Sequence, residues 1–487
     1  MQPAASSRWA LACLALSMLL SSLGTSIANV GLPTLAKAFS ASFQQVQWIV
    51  LAYLLATTTL IVSVGRLGDI TGRRRLLLAG IFLFTLASLF CAVAPTLSLL
   101  IAARSAQGLG AAIMMALTLA FVGEMVPKEK TGTAMGLLGS MSAIGTALGP
   151  SLGGVLISGF GWPAIFLVKV PLGIFAFVLA RRFLPVDRQR PKTDRTGFDY
   201  LGKLLLALTL AAYALAMTIG RGSFGPLNLV LLLVAVAGAG CFVLAETRAE
   251  FPLVRLKMFR SLALSSSLAT NMLVSTVLMA TLVVAPFYLS RALGLNAAFV
   301  GMAMSVGPLV AAVTGVPAGR MVDRCGTYRI TIIALIGMAL GACLLPMMPA
   351  TLGFLGYIAP LIVLTAHYAL FQAANNTAVM TDIHPDQRGV IAGLLNLSRN
   401  LGLITGASVM GAVFAHATRT IDITAASAAA VATGMRTTFF VAATLILVAL
   451  AIAVAAHARL KVRSVGSIAP HQRAVQDQRN RSPDETQ

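Results

Sequence analysis

The sequence predicts an all-α polytopic membrane protein built from two similar helix bundles, and three observations predict it. The chain has 487 residues, of which 58% are hydrophobic and only 10% charged. A water-soluble chain of this length needs far more charge to cover its surface. Apolar runs of about 18 residues or more recur from end to end, each long enough to cross a hydrocarbon core of about 30 Å. The third observation is a polar phrase written twice. Gly65-Arg66-Leu67-Gly68-Asp69-Ile70-Thr71-Gly72 returns as Gly319-Arg320-Met321-Val322-Asp323-Arg324-Cys325-Gly326. A repeated polar turn, each time after the second apolar segment of its half, marks two joined bundles. In membranes that architecture carries a solute between the halves.

About fourteen spans follow from the apolar pattern. They fall near 9–31, 45–65, 75–95, 97–123, 131–158, 163–184, 199–220, 226–246, 262–290, 298–318, 329–348, 352–379, 389–416 and 435–459. The first, from Trp9, has the look of a signal peptide but is followed by many further spans, so it reads as an uncleaved helix. Residues 1–184 make the first six-helix bundle. The longest internal polar stretch, Arg181–Tyr200, opens a segment over 185–261 that holds two additional spans between cytoplasmic linkers. Residues 262–459 make the second six-helix bundle. The basic tail 460–487 has little apolar content and is predicted to be disordered.

An even count of spans puts both termini on one side. Loops after the even-numbered spans hold Arg66, Arg73, Arg74, Arg75, Lys128, Lys130, Arg181, Arg182, Arg320 and Arg324, among others. The opposite loops hold little beyond Lys37, Arg221, Arg291 and Arg419. The positive-inside rule therefore places the rich loops and both termini in the cytoplasm. The same rule accounts for the net charge of +21. Nucleic acid is not an expected partner, because no basic stretch is interleaved with stacking aromatics.

Cysteines at 13, 91, 241, 325 and 343 form no CxxC pair and read as small buried hydrophobes, not as a disulfide framework or metal site. The five histidines are dispersed and no loop is long enough for a catalytic domain, which argues against an enzyme. No metal or cofactor is expected.

Several further phrases stand at telling places in the span order. Gly136, Gly145, Gly149, Pro150, Gly153 and Gly154 line span 5. Small residues on one face let helices approach closely, and Pro150 removes a backbone donor and bends its helix. Arg104-Ser105-Ala106-Gln107-Gly108 lies inside span 4, where an arginine is costly and functional by default. Trp162-Pro163-Ala164-Ile165-Phe166 opens span 6. Phe198–Gly202 and Pro252–Phe259 bracket the two additional spans, and Leu397–Gly402 opens span 11, counted over the twelve spans of the two bundles.

With these phrases the chain resembles the major facilitator superfamily, specifically its fourteen-helix drug:proton antiporters, from about Ser21 to Arg459. The resemblance implies a latch at the cytoplasmic side built from Gly65, Asp69, Gly72 and Arg73 and echoed by Asp323 and Arg324. Glu124 is the expected partner of Arg73. Ile70 departs from the family, which has a basic residue there. The glycine phrase of span 5 resembles the antiporter signature; generic helix packing is its plainer reading. The resemblance implicates Arg104 in proton coupling; tying carbonyls of neighbouring helices is the structural alternative.

Two departures bear on mechanism. Gly24 stands where the family has a span 1 aspartate, and no Asp or Glu lies near the middle of any span. Protons are usually carried by a buried carboxylate. The remaining candidates are Glu124, His367, or coupling lost altogether. His367 also reads as a hydrogen-bonded structural histidine. Lys169 stands where the family has a neutral residue. It either snorkels to the outer surface or makes the cavity positive together with Arg104, which would suit neutral, zwitterionic or acidic amphiphiles. Candidate cavity residues are Asn29, Trp48, Tyr53, Met114, Met141, Asn271 and Gln372, with Met115, Met302 and Met304 as further adaptable surface; each also serves as ordinary packing material.

The expectation is a secondary active exporter of amphipathic drugs or toxic small molecules. It would act as a monomer in a bacterial cytoplasmic (inner) membrane, exchange cargo for protons and contribute to antibiotic resistance. The alternative is a transporter of organic anions or lipids with altered or absent proton coupling.

Overall fold

The computed structural model describes residues 4–41, 43–187, 200–218, 225–249, 256–295, 297–381, 387–418 and 427–480. Phe198, Asp199 and residues 252–255 of the bracketing phrases lie outside them. At Asn29, Gly65, Arg66, Asp69 and Pro150 only the backbone is described.

Every regular element among the described residues is helical. The first bundle holds α1 (Ala4–Ala38), α2 (Phe43–Thr71), α3 (Arg73–Ala92), α4 (Leu97–Met125), α5 (Thr131–Phe160), α6 (Ala164–Leu167) and α7 (Lys169–Phe183). Two additional helices follow, α8 (Tyr200–Thr218) and α9 (Pro226–Arg248). The second bundle holds α10 (Leu262–Phe287), α11 (Ala297–Cys325), α12 (Thr327–Met347), α13 (Gly353–Met380), α14 (Arg388–Thr418) and α15 (Ala428–Asn480). Among the described residues, eleven helices are long and apolar enough to cross a membrane, or twelve with the two arms of α5 taken as one span. Shorter apolar segments lie at Trp48–Ile61 and Leu204–Met217, within α2 and α8.

Local chemistry sets the breaks. Thr96 caps α4 by accepting from the Leu99 N–H at 3.4 Å, and Ser261 caps α10 by accepting from Leu264. Gly72 (φ 102°) and Gly326 (φ 84°) each end a copy of the duplicated phrase in the left-handed region, where a side chain would be strained. The two arms of α5 meet at Pro150 with a bend of 40°. Beyond Arg459, α15 continues to Asn480, across a stretch whose composition predicts disorder. Gly466 and Pro470 inside this stretch are poor helix formers, so local propensity does not account for its helical course.

Within the first bundle α1 packs on α5, α2 on α4, and α3 on α4 and α7. Within the second, α10 packs on α14, α12 on α13 and α15, and α11 on α13. The halves meet chiefly along α5 with α11 and α2 with α14, with α5 on α13 and α4 on α14 beside them. The additional helices lie outside both bundles: α8 rests against α2 and α14, and α9 packs mainly on α8. Most of α9 turns outward, with Leu229, Leu233 and Val236 exposed, as a lipid-facing helix requires.

Candidate functional site

The two bundles are sealed on each other at one end, the end that carries the basic loops. One apolar cluster crosses between them there, joining Leu117, Phe121 and Val122 of α4 to Met380 of α13 and to Val390 and Ile391 of α14. At the opposite end of the first bundle Leu23, Ile49, Leu100 and Phe166 form a separate cluster. The main core of the second bundle is likewise its own.

The seal is made by small residues and one acid. Gly132 and Gly136 of α5 face Gly315 and Gly319 of α11 so closely that a Cβ at Gly136 would run into the Gly315 carbonyl oxygen. Asp323, from the second copy of the duplicated phrase, reaches across the seam to the start of α5. It accepts from the Gly132 N–H at 2.7 Å, the Thr133 N–H at 2.9 Å and the Thr133 hydroxyl at 2.6 Å. A helix N-terminus presents unsatisfied N–H groups and the positive end of its dipole, so a carboxylate is favoured there. Arg324, beside it, is exposed.

In the first copy Arg73, buried at the start of α3, donates from Nη1 to Glu124 Oε2 of α4 at 2.7 Å. Asp187, just past α7, had no signal in the sequence. Its carboxylate accepts the backbone N–H of Arg74 at 2.9 Å and of Arg75 at 3.1 Å, giving α3 a cap from another segment. Arg74 also donates to the Arg181 carbonyl.

The span 5 glycines divide by role. Gly145 and Gly149 press against Leu19 and Ser26 of α1, and Ser26 donates to the Gly145 carbonyl at 3.1 Å. Among the described residues, nothing lies within 4 Å of a Cβ at Gly154. The second bundle repeats the contact. Gly402 and Gly406 of α14 press on Met272 and Thr276 of α10, and Thr276 donates to the Gly402 carbonyl at 3.1 Å.

Arg104 is enclosed in the first bundle. Its Nε donates to the Ile49 carbonyl at 2.9 Å and its Nη1 to the Gly24 carbonyl at 3.1 Å and to Gln107 Oε1, while Gln107 donates on to Ser88. Its guanidinium lies 4.3 Å from the centroid of the Tyr53 ring, and Tyr53 donates to the Ser21 carbonyl at 2.8 Å. Lys169 opens α7 directly after the break at Val168 and is 0% exposed. It does not snorkel: the side chain turns inward onto Phe166 and Phe84, with Nζ 4.8 and 5.9 Å from their ring centroids.

The proposed cavity residues do not converge on one wall. Met114 is buried in the first core, and Met141 packs against it. Asn271 ties α10 to α14 through the Leu395 carbonyl at 3.0 Å, Gln372 donates to the Tyr368 hydroxyl at 2.9 Å, and Trp48 is exposed. His367 Nδ1 donates to Val363, one turn back on its own helix, at 2.7 Å, and the ring covers Gly337. Asn271 and His367 thus bond neighbouring backbone and Gln372 a neighbouring side chain, as buried polar groups need.

Two like bundles, docked chiefly along two helix pairs and sealed at one end, define a multi-pass membrane transporter. The family model of the Major Facilitator Superfamily matches residues 14–407 and 268–477, and the chain belongs to that superfamily. Riboflavin transporter RibZ of Clostridioides difficile is 31% identical over 410 residues, covering 82% of this chain and 87% of the relative. Multidrug resistance protein Stp of Mycobacterium tuberculosis is 31% identical over 398 residues, covering 80% and 72%. The human organic anion transporter MFSD10 shares the fold, with a TM-score of 0.65 at 16% identity over 93% of this chain and 100% of that one.

Proposed function

We propose that the protein is a secondary active exporter of amphipathic small molecules, exchanging cargo for protons by alternating access in a bacterial cytoplasmic membrane. Its basic loops and both termini face the cytoplasm in this reading. The observation that carries it is the one-ended seal. Small residues and a carboxylate hold α5 on α11 where the loops are basic, while the cores at the opposite end stay separate. A seam of short-range contacts can exchange for an equivalent seam at the other end, as a two-state carrier requires. Relatives named for multidrug resistance support drug-like cargo.

Glu124 carries the proton in this reading. Gly24 leaves α1 without a carboxylate, His367 is committed to Val363, and Arg104 is enclosed. The Glu124 side chain is 47% exposed at the sealed end and faces Arg73. A proton on Glu124 removes the charge that Arg73 answers and loosens the region beside the seam. The test uses purified protein in liposomes with an imposed pH gradient and an internal pH dye, challenged with cationic, neutral and anionic amphiphiles. Cargo-driven proton flux is expected in the native protein and in His367→Gln, and is lost in Glu124→Gln. Cargo movement with no proton flux in the native protein would reject antiport.

A further inference from the structure

Two cations lie inside the first bundle, and no carboxylate among the described residues makes contact with either. Arg104 and Lys169 are both 0% exposed. Arg104 Nη2 and Lys169 Nζ have no hydrogen-bond partner among the described residues. The partners that Arg104 does have are neutral: two backbone carbonyls and the amide of Gln107. Among the described residues Lys169 meets the faces of Phe166 and Phe84 and no hydrogen-bond acceptor.

The two positions are joined by one set of side chains. A Cβ at Gly24 would stand 3.0 Å from the Tyr53 hydroxyl oxygen and 3.3 Å from the Phe84 ring. Tyr53 is the ring under Arg104, and Phe84 is a ring beside Lys169. Gly24 thus sits between the aromatic partners of both cations, contributing a carbonyl and no side chain. Burying a charge is expensive unless an opposite charge answers it, and two buried like charges compound the cost. Aromatic faces and carbonyls offset part of it. A monovalent anion placed against the free Nη2 and Nζ offsets the rest.

We propose that Arg104 and Lys169 form an anion site that takes the carboxylate of an aromatic amphiphile. The guanidinium and ammonium meet the carboxylate oxygens, while Tyr53, Phe84 and Phe166 lie along the apolar body. This names a cargo class for the exporter reading and rests on that reading for transport; binding alone does not need it. Both cations are enclosed in this structure, so the anion enters by a rearrangement of the first bundle.

The test is equilibrium binding to the full chain in nanodiscs, read as fluorescence anisotropy. The probes are pyrenebutyric acid, its methyl ester and the corresponding pyrene amine, which share one apolar body. The native protein is expected to bind the acid at least about tenfold more tightly than the ester, by the strength of charge-assisted pairing. Lys169→Gln loses that preference and Lys169→Arg keeps it. Gly24→Asp, which supplies a carboxylate from the chain itself, abolishes the preference for the acid. Thermal unfolding in the same nanodiscs shows which variants are folded, and Lys169→Gln and Gly24→Asp report independently of each other. Equal affinity for acid and ester overturns the proposal. So does a preference unchanged in both folded variants, or chloride stabilising the protein through Lys169 with no preference among the pyrene probes. Acid-selective binding without transport in liposomes would sink the exporter reading and leave the site standing.

Discussion

Asp323 accepts both the backbone N–H and the hydroxyl of Thr133, so the last turn of one bundle's helix caps the first turn of the other's. The acid belongs to the duplicated phrase, and its target is the start of the glycine-rich α5. In this structure the bond spans the closed basic end.

Asp323→Asn keeps the shape and removes the charge. Hydrogen bonds to a charged group contribute about 1.5–3 kcal/mol each, against about 1 for neutral ones. The closed population should fall by roughly tenfold or more, since about 1.4 kcal/mol is a factor of ten. Spin labels at Lys130 and Arg320, both exposed, would show a longer distance component. An unchanged distance distribution would mean that the cap does not hold the seam.

Substitutions in the glycine phrase should separate sharply. Gly136→Ala drives a methyl group into the Gly315 carbonyl oxygen, backbone against backbone, and is expected to abolish transport. Gly154→Ala meets nothing within 4 Å among the described residues and should leave transport at the native level. Equal loss in both would show that the phrase acts through helix flexibility and not through close approach.

Arg104→Lys should not be conservative. The guanidinium reaches Ile49, Gly24 and Gln107 in three directions at once, and a lysine has a single ammonium at the end of its chain. Loss of two such bonds, each about 1.5–3 kcal/mol, should reduce thermal stability in detergent and transport together. Native activity in the lysine variant would show that charge alone matters.

The additional helices are fastened to the second bundle by Tyr213 to Thr405 and by Ser408 to the Met217 carbonyl. The double variant Tyr213→Phe, Ser408→Ala removes about 0.5–1.5 kcal/mol per bond. Hydrogen exchange should rise in α8 and stay low in α10. Equal protection of α8 in both proteins would mean that apolar packing alone holds it.

The fold was legible because its causes are compositional. Long apolar runs have one use, and a phrase repeated after the second span of each half shows how the halves are related. Arg73 with Glu124 was legible too, since both sit where basic ends of α3 and α4 must meet. Other parts were hidden for physical reasons. Asp187 follows α7 in an irregular stretch, and nothing local says that it will cap α3, more than a hundred residues away in sequence. Lys169 was ambiguous because snorkelling depends on where the helix restarts, and the break at Val168 is one residue wide. Met114 and Gln372 could not be told from cavity residues because core and cavity draw on the same side chains.

The placement of α8 makes the protein one-sided in the plane of the bilayer. Two flanks run along the boundary between the bundles, one at α2 and α14 and one at α5 and α11. On the first, α8 lies like a shutter over the boundary and is tied by its hydrogen bonds to α14. The second has no such cover among the described residues. An amphiphile dissolved in lipid therefore meets a shuttered window on one side and an uncovered one on the other.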